Sequence, residues 1–262
     1  MTKASRFSAL KGLYIAIILI FLYLPIATLM VLSFNEGRSM AAWTGFSFHW
    51  YAEMFQSRMI VDALYNTFMI AISAALIATI IGLLACVGFQ AMRNKDKGLW
   101  LGLNNIPLLN ADIVIGISLM LTFIMCGISL KYETVLFSHI TFCIPYVILS
   151  ILPKFKQLTQ STYEAALALG ANKLQAFIKV VLPDLMPGII SGFLLAFTMS
   201  VDDFVVTHFT RGAGINTIST LIYSQVKVGV RPTLYALSTV IFVLVLIILV
   251  ASNVISNRKG RE

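Results

Sequence analysis

The chain has 262 residues, of which 59% are hydrophobic and 11% charged, with a mean hydropathy of +0.90 and a formal net charge of +8. It is far more apolar than an ordinary soluble domain, which excludes that class at the outset. No Gly-x-x-x-x-Gly-Lys-Ser/Thr phosphate loop, Gly-x-Ser-x-Gly elbow or His-Glu-x-x-His pair occurs, and His49, His139 and His208 are scattered along the chain. Composition and motifs therefore point away from an intramembrane enzyme and from a phosphate-loop nucleotide site on this chain.

In chain order, Lys3, Arg6 and Lys11 precede an apolar run over 13–34. A signal peptide begins this way, but the run is too long for an h-region and no small-x-small cleavage site follows it, so it reads as a retained first span. Further runs cover 64–92, 99–127, 134–152, 187–207 and 233–256. Each is long enough, at about 20 residues, to cross a hydrocarbon core of about 30 Å as a helix. Backbone groups in lipid must pair within their own segment, and the short alternating strands of a barrel are absent. The expectation is an all-α membrane protein with six transmembrane helices, organised as one transmembrane domain over 1–262. Trp43, Trp50 and Tyr51 in the first outer loop fit an interfacial aromatic belt. Cys86, Cys126 and Cys143 lie in spans at spacings that suit neither disulfides nor zinc, and read as small buried hydrophobes.

Orientation follows from the basic residues. With both termini on one side, only Arg38, Arg58, Lys131, Arg211, Lys227 and Arg231 of the 19 lysines and arginines fall on the other. That bias puts both termini in the cytoplasm. Topology and anionic membrane lipid thus account for the positive charge, and no nucleic acid is needed.

The long polar break over 153–185 has its own pattern. Ser161-x-x-Glu164 fits a capping box opening a short helix, and Gly170 fits a left-handed cap closing it. Asn172 fits the N-cap of a second helix ending before Pro183, with Leu174, Phe177, Ile178, Val181 and Leu182 forming one apolar stripe. The product is a helix–Gly–helix elbow, either a docking element or an amphipathic hairpin on the membrane surface. The order Glu164-Ala165-Ala166, Gly170, Leu182-Pro183 resembles the E-A-A-x-x-x-G loop of the membrane subunits of bacterial ABC importers. The resemblance implies a type I importer permease fold, with Glu164, Ala165, Ala166 and Gly170 coupling it to a separate ATPase subunit dimer. ATP and magnesium would sit on that partner, and this chain would bind no cofactor.

Three carboxylates interrupt the spans: Asp112 in the third, Asp202 and Asp203 in the fifth. Each intramembrane acid costs about 2.5–3.5 kcal/mol on insertion scales, so such residues mark function by default. Counted along unbroken helices at 1.5 Å per residue, Asp112 and Asp202 lie at a similar depth of roughly 21 Å. Asp202 and Asp203, adjacent on a helix, are expected to point about 100° apart. The acids either line a path for a cation, or are solvated near the outer interface, or pair with a basic residue of a partner. No intramembrane Lys or Arg offsets them.

Two stretches, 197–206 (FTMSVDDFVV) and 110–114 (NADIV), together with 137–145 and 223–230, resemble the permease subunits of bacterial spermidine/putrescine importers, and the likeness runs nearly the whole chain. It implies a polyamine path lined by Asp112, Ser200, Asp202 and Asp203, with Trp50 assisting. It also implies a second related permease subunit, a periplasmic polyamine-binding protein and residence in the bacterial inner membrane. A permease for another small cargo (iron, thiamine or an amino acid) and an ion-coupled secondary transporter with proton-carrying aspartates stand as alternatives.

Overall fold

The computed structural model describes residues 3–38, 42–157 and 160–259. In chain order they form α1 (Lys3–Leu32), α2 (His49–Gln56), α3 (Arg58–Ala91), α4 (Asn94–Leu109), α5 (Asp112–Met125), α6 (Tyr132–Gln157), α7 (Gln160–Ala168) and α8 (Lys173–Ala176). A π-helical turn (Phe177–Val181) follows, then α9 (Leu182–Asp202), α10 (Val205–Thr210), α11 (Ile218–Val228) and α12 (Pro232–Lys259). Among the described residues the one β pairing is an isolated bridge between Asn35 and Phe46. The all-α expectation therefore holds.

The count of membrane-length helices differs from the six expected. Among the described residues four are long and apolar enough to cross a bilayer, Lys11–Leu32, Arg58–Ala91, Tyr132–Gln157 and Lys173–Asp202, or five if a bent pair counts as one span. The run over 99–127 is two helices, α4 and α5, bent by 105° at Asn110 and Ala111. Pro107 removes a backbone donor near the end of α4, Asn110 turns its amide back onto the Ile106 carbonyl at 3.1 Å, and Ala111 is extended. Hydropathy sums across such a bend without registering it. The final helix is apolar over Pro232–Ile247.

The chain divides into two compact units, residues 62–221 and residues 1–61 with 222–262. In the first, α6 and α9 pack closely because α9 presents Gly188, Gly192, Ala196 and Ser200, all buried, at every fourth position. A Cβ at Gly192 would sit 3.4 Å from Val147 and Ser150. The Ser150 hydroxyl donates to the Gly188 carbonyl at 3.2 Å, and the Cys143 thiol to that of Ala196 at 3.4 Å. Lipid offers no hydrophobic drive between helices, so small residues that bring backbones together carry the association. Gly82 of α3 meets the same Val147 side chain, so closely that a Cβ would lie 2.6 Å from its Cγ1. Short α10 packs against α5 and α6.

In the second unit, α12 packs on α1 and α2. Phe34, Phe46, Phe48 and Tyr51 form a ring cluster with centroids 5.2–5.9 Å apart. The Asn35 side chain ties its loop together, donating to the Ala42 carbonyl and accepting from the Thr44 amide, both at 2.9 Å.

Candidate functional site

The two interruptions of helix in the larger unit meet at one place. Asp112 opens α5 directly after the 105° bend. Asp202 closes α9, Asp203 is extended, and α10 opens at Val205. Together they line a cleft of about 190 Å³, walled by the aromatic rings of Phe142, Tyr146 and Phe204, with no Lys or Arg on its lining. Irregular backbone at membrane depth is tolerated only where protein buries it or it faces an aqueous cavity. Here it does both. Asp112 sits in the first turn of α5, and Asp203 lies two residues ahead of α10.

The depth count along a straight third span does not hold, because the bend reorients everything after Asn110. The 100° divergence of Asp202 and Asp203 also lapses. It assumed continuous helix, and the helix ends between them, so both reach the same cleft.

The three acids differ in what they already hold. Asp112 and Asp202 are exposed to the cleft. The Asp203 side chain is only 8% exposed and accepts from the Val206 amide at 3.2 Å, the Thr207 amide at 2.8 Å and the Thr207 hydroxyl at 2.8 Å. It caps α10 as a local side-chain acceptor. Ser200 is buried at 3% exposure, its Oγ 2.6 Å from Nδ1 of His139 on α6. His139, 1% exposed, places Nε2 2.9 Å from Thr207 Oγ1 and 3.5 Å from the Asp203 carboxylate. Trp50 belongs to the smaller unit, where it is 4% exposed and its indole N–H donates to the Asn35 carbonyl at 2.6 Å.

Sequence reading passed over His139, Thr207, Phe142 and Tyr146. A signal existed: Ser200, Asp203 and Thr207 are spaced by three and four, as are His139, Phe142 and Tyr146, which on continuous helix would place each set on one face, although the first set straddles the break. Which face opposes which is tertiary information.

The elbow forms around Gly170, whose φ is +88°. The Gly170 amide donates to the Leu167 carbonyl at 3.0 Å and the Ala171 amide to Ala166 at 3.1 Å, the paired bonds of a Schellman cap. Asn172 opens α8 in a reciprocal capping box with Gln175, at 2.8 and 3.1 Å. Helix α7 starts at Gln160, one residue ahead of Ser161, and the Ser161 side chain lies outside the described residues. Glu164 and Ala165 are exposed and Ala166 half-buried, while Leu169 and Leu174 stand 90% and 67% exposed beside them. The second helix does not end before Pro183. It continues through the π-turn into α9, because the wider turn precedes the proline, which lacks an N–H and crowds the carbonyl four residues back.

Residues 103–259 match the model of the family described as "binding-protein-dependent transport system inner membrane component". The chain is 37% identical over 252 residues to the spermidine/putrescine transport system permease protein PotC of Escherichia coli K12, covering 96% of each. It is 36% identical to the PotC of Haemophilus influenzae, covering 98% of this chain and 99% of that one. It is also 36% identical over 228 residues to the putrescine transport system permease protein PotI of Escherichia coli K12, covering 84% and 81%. Among solved structures, a bacterial ABC transporter involved in import of the acidic polysaccharide alginate superposes with a TM-score of 0.77 at 16% identity, covering 96% of this chain and 97% of that one. The MetNI methionine transporter gives 0.60 at 17% identity, covering 75% and 94%. The acidic cleft and the elbow are thus set in a known scaffold: the chain belongs to the binding-protein-dependent transport system inner membrane components, the permease subunits of ABC importers.

Proposed function

We propose that the chain is the permease subunit of an ATP-driven importer that carries a polyamine, spermidine or putrescine, from the periplasm into the cytoplasm. The observation that carries this reading is the cleft where three carboxylates and three aromatic rings converge with no basic residue on the lining. Protonated amines need carboxylates for their charge, and aromatic faces hold ammonium groups and the methylenes between them. The alginate importer shares the fold while moving an acidic polysaccharide, so the scaffold leaves the sign of the cargo open and the site must set it. Relatives at 36–37% identity named for spermidine and putrescine transport support the same cargo.

In this reading Asp112 and Asp202 meet the cargo, while Ser200 and Asp203 hold the interrupted helix in place behind them. Trp50 acts through the loop it pins. The elbow, with Glu164, Ala165, Ala166 and Gly170, docks on the cytoplasmic ATPase dimer, where ATP and magnesium bind. A second permease completes the pathway and a periplasmic binding protein delivers the polyamine. The α4–α5 pair makes the third of six crossings, and both termini are cytoplasmic. Labelled spermidine uptake into proteoliposomes holding the full importer tests the cargo assignment. Asp112→Asn and Asp202→Asn should each lower uptake by about tenfold or more, the scale of one lost charge-assisted contact. Uptake at wild-type level in both variants overturns the assignment.

A further inference from the structure

Behind the cleft lies a buried network that the transport reading does not itself require. Ser200 is in the last turn of α9 and Thr207 in α10, on opposite sides of the interruption at Asp203 and Phe204. His139, from α6, reaches both: Nδ1 to Ser200 Oγ at 2.6 Å and Nε2 to Thr207 Oγ1 at 2.9 Å. Its Nε2 also lies 3.5 Å from Asp203 Oδ2. The ring is further braced by Phe142, 5.1 Å away between centroids.

Proton accounting fixes one end of the ring. Thr207 has a single hydroxyl proton, and its Oγ1 lies 2.8 Å from the Asp203 carboxylate, which only accepts. That proton therefore goes to Asp203, and Thr207 Oγ1 accepts from His139. Nε2 carries a proton whether the ring is neutral or doubly protonated. Every polar atom of this cluster is then engaged, as a buried network requires.

We infer that His139 is a positioning residue of the translocation cleft: by bonding α9 through Ser200 and α10 through Thr207, it sets the angle of the interruption at which Asp202 faces the cargo. Asp203, committed to the same network, shapes the cleft without being the carboxylate that the cargo displaces water from. The inference rests on the cleft being the cargo path. Asp203 holds the α10 side of the break through its bonds to Val206 and Thr207, but these do not reach α9, and His139 supplies the tie from that side to Ser200. His139 hydrogen-bonds to both halves.

The test uses the complete importer, with its ATPase, paired permease and binding protein, in proteoliposomes. His139→Leu removes both ring nitrogens, and should lower labelled spermidine uptake per ATP hydrolysed by about tenfold while assembly and stimulated hydrolysis persist. His139→Gln keeps a donor at similar reach and should recover uptake per ATP to within about threefold. Thr207→Val, nearly isosteric, repeats the loss if His139→Leu fails to assemble. Unchanged uptake per ATP in His139→Leu, or in Thr207→Val where that variant must serve, overturns the inference, as does equal loss in His139→Leu and His139→Gln. Imidazole ¹⁵N spectra of the importer, with the His139 signals assigned by their absence in His139→Gln, supply a readout independent of cargo. A protonated Nε2 supports the network and a bare Nε2 refutes it. Wild-type importer that moves no polyamine refutes the cargo assignment instead, and leaves the spectrum to decide on His139.

Discussion

Gly170 gives the sharpest test of the elbow, because its constraint is confined to the backbone. At φ +88° the residue sits where L side chains carry strain, and nothing lies within 4 Å of where a Cβ would stand. Steric conflict with neighbours therefore contributes nothing, and substitutions should rank by conformational cost alone. An Ala at such a position costs on the order of 1–2 kcal/mol and a β-branched Val more, whereas Asn visits this region routinely. If the left-handed turn is abandoned, the Schellman pair from Gly170 and Ala171 is lost too, at about 0.5–1.5 kcal/mol per bond. Gly170→Val should thus shift the elbow away from its docking shape by roughly ten- to a hundredfold, since each 1.4 kcal/mol or so is a factor of ten. Gly170→Asn should stay near wild type. The assay is ATP hydrolysis stimulated by cargo-loaded binding protein in reconstituted importer, with ATPase retention measured in parallel. Full stimulation in Gly170→Val, or equal losses in Val and Asn, refutes the assignment of the elbow.

Three further outcomes are expected. Gly82→Ala places a Cβ 2.6 Å from Cγ1 of buried Val147; overpacking of about 1–3 kcal/mol should outweigh the gain of about 1 kcal/mol in helix propensity and lower the thermal midpoint of the purified importer, less so when Val147→Ala is combined with it. Trp50→Phe leaves the buried Asn35 carbonyl without its indole donor and should destabilise the importer by about 1–3 kcal/mol, read as a lower thermal midpoint; an unchanged midpoint shows the bond is dispensable. Asp203→Asn should lower the thermal midpoint, because an amide cannot accept the three bonds from Val206 and Thr207, whereas exposed Asp202→Asn should lower uptake with little change in that midpoint; equal midpoints contradict the division between them.

The elements governed by local chemistry were legible in the sequence. The left-handed cap at Gly170 and the N-cap at Asn172 follow from residue types and spacing over a few positions, and the structure shows both. The apolar runs over 13–34, 64–92 and 134–152 likewise fall in α1, α3 and α6, because hydropathy is additive along a chain. The bend at Asn110 escaped that sum, although Pro107 and Asn110 hinted at it. The break after Asp202 left less trace, since what stabilises it comes from His139, sixty-odd residues earlier. A shared level for Asp112 and Asp202 was anticipated from a depth count, whereas Asp202 and Asp203 were expected to diverge; all three meet in one cleft because two interruptions of helix come together there. Ser200 and Asp203 in a span, and Trp50 in a loop, show what composition cannot reveal, namely that a polar group has already found its partner.

The π-turn at Phe177–Val181 gives the elbow and the cleft a shared mechanical axis. Lys173–Asp202 is one apolar helical run of 30 residues, a rod of roughly 45 Å at 1.5 Å per residue. One end carries the capping box of the elbow and the other carries Asp202. A π-turn absorbs one residue more than an α-turn, so regularising it at constant sequence would advance everything beyond by one residue, about 100° of rotation and 1.5 Å of rise. Torque applied at the elbow thus meets a soft joint placed next to the point of application, ahead of the interior Pro187 of α9. Deleting one residue within 177–181 would stiffen that joint while leaving Asp202 on its present face, which separates the compliance of the rod from its phase.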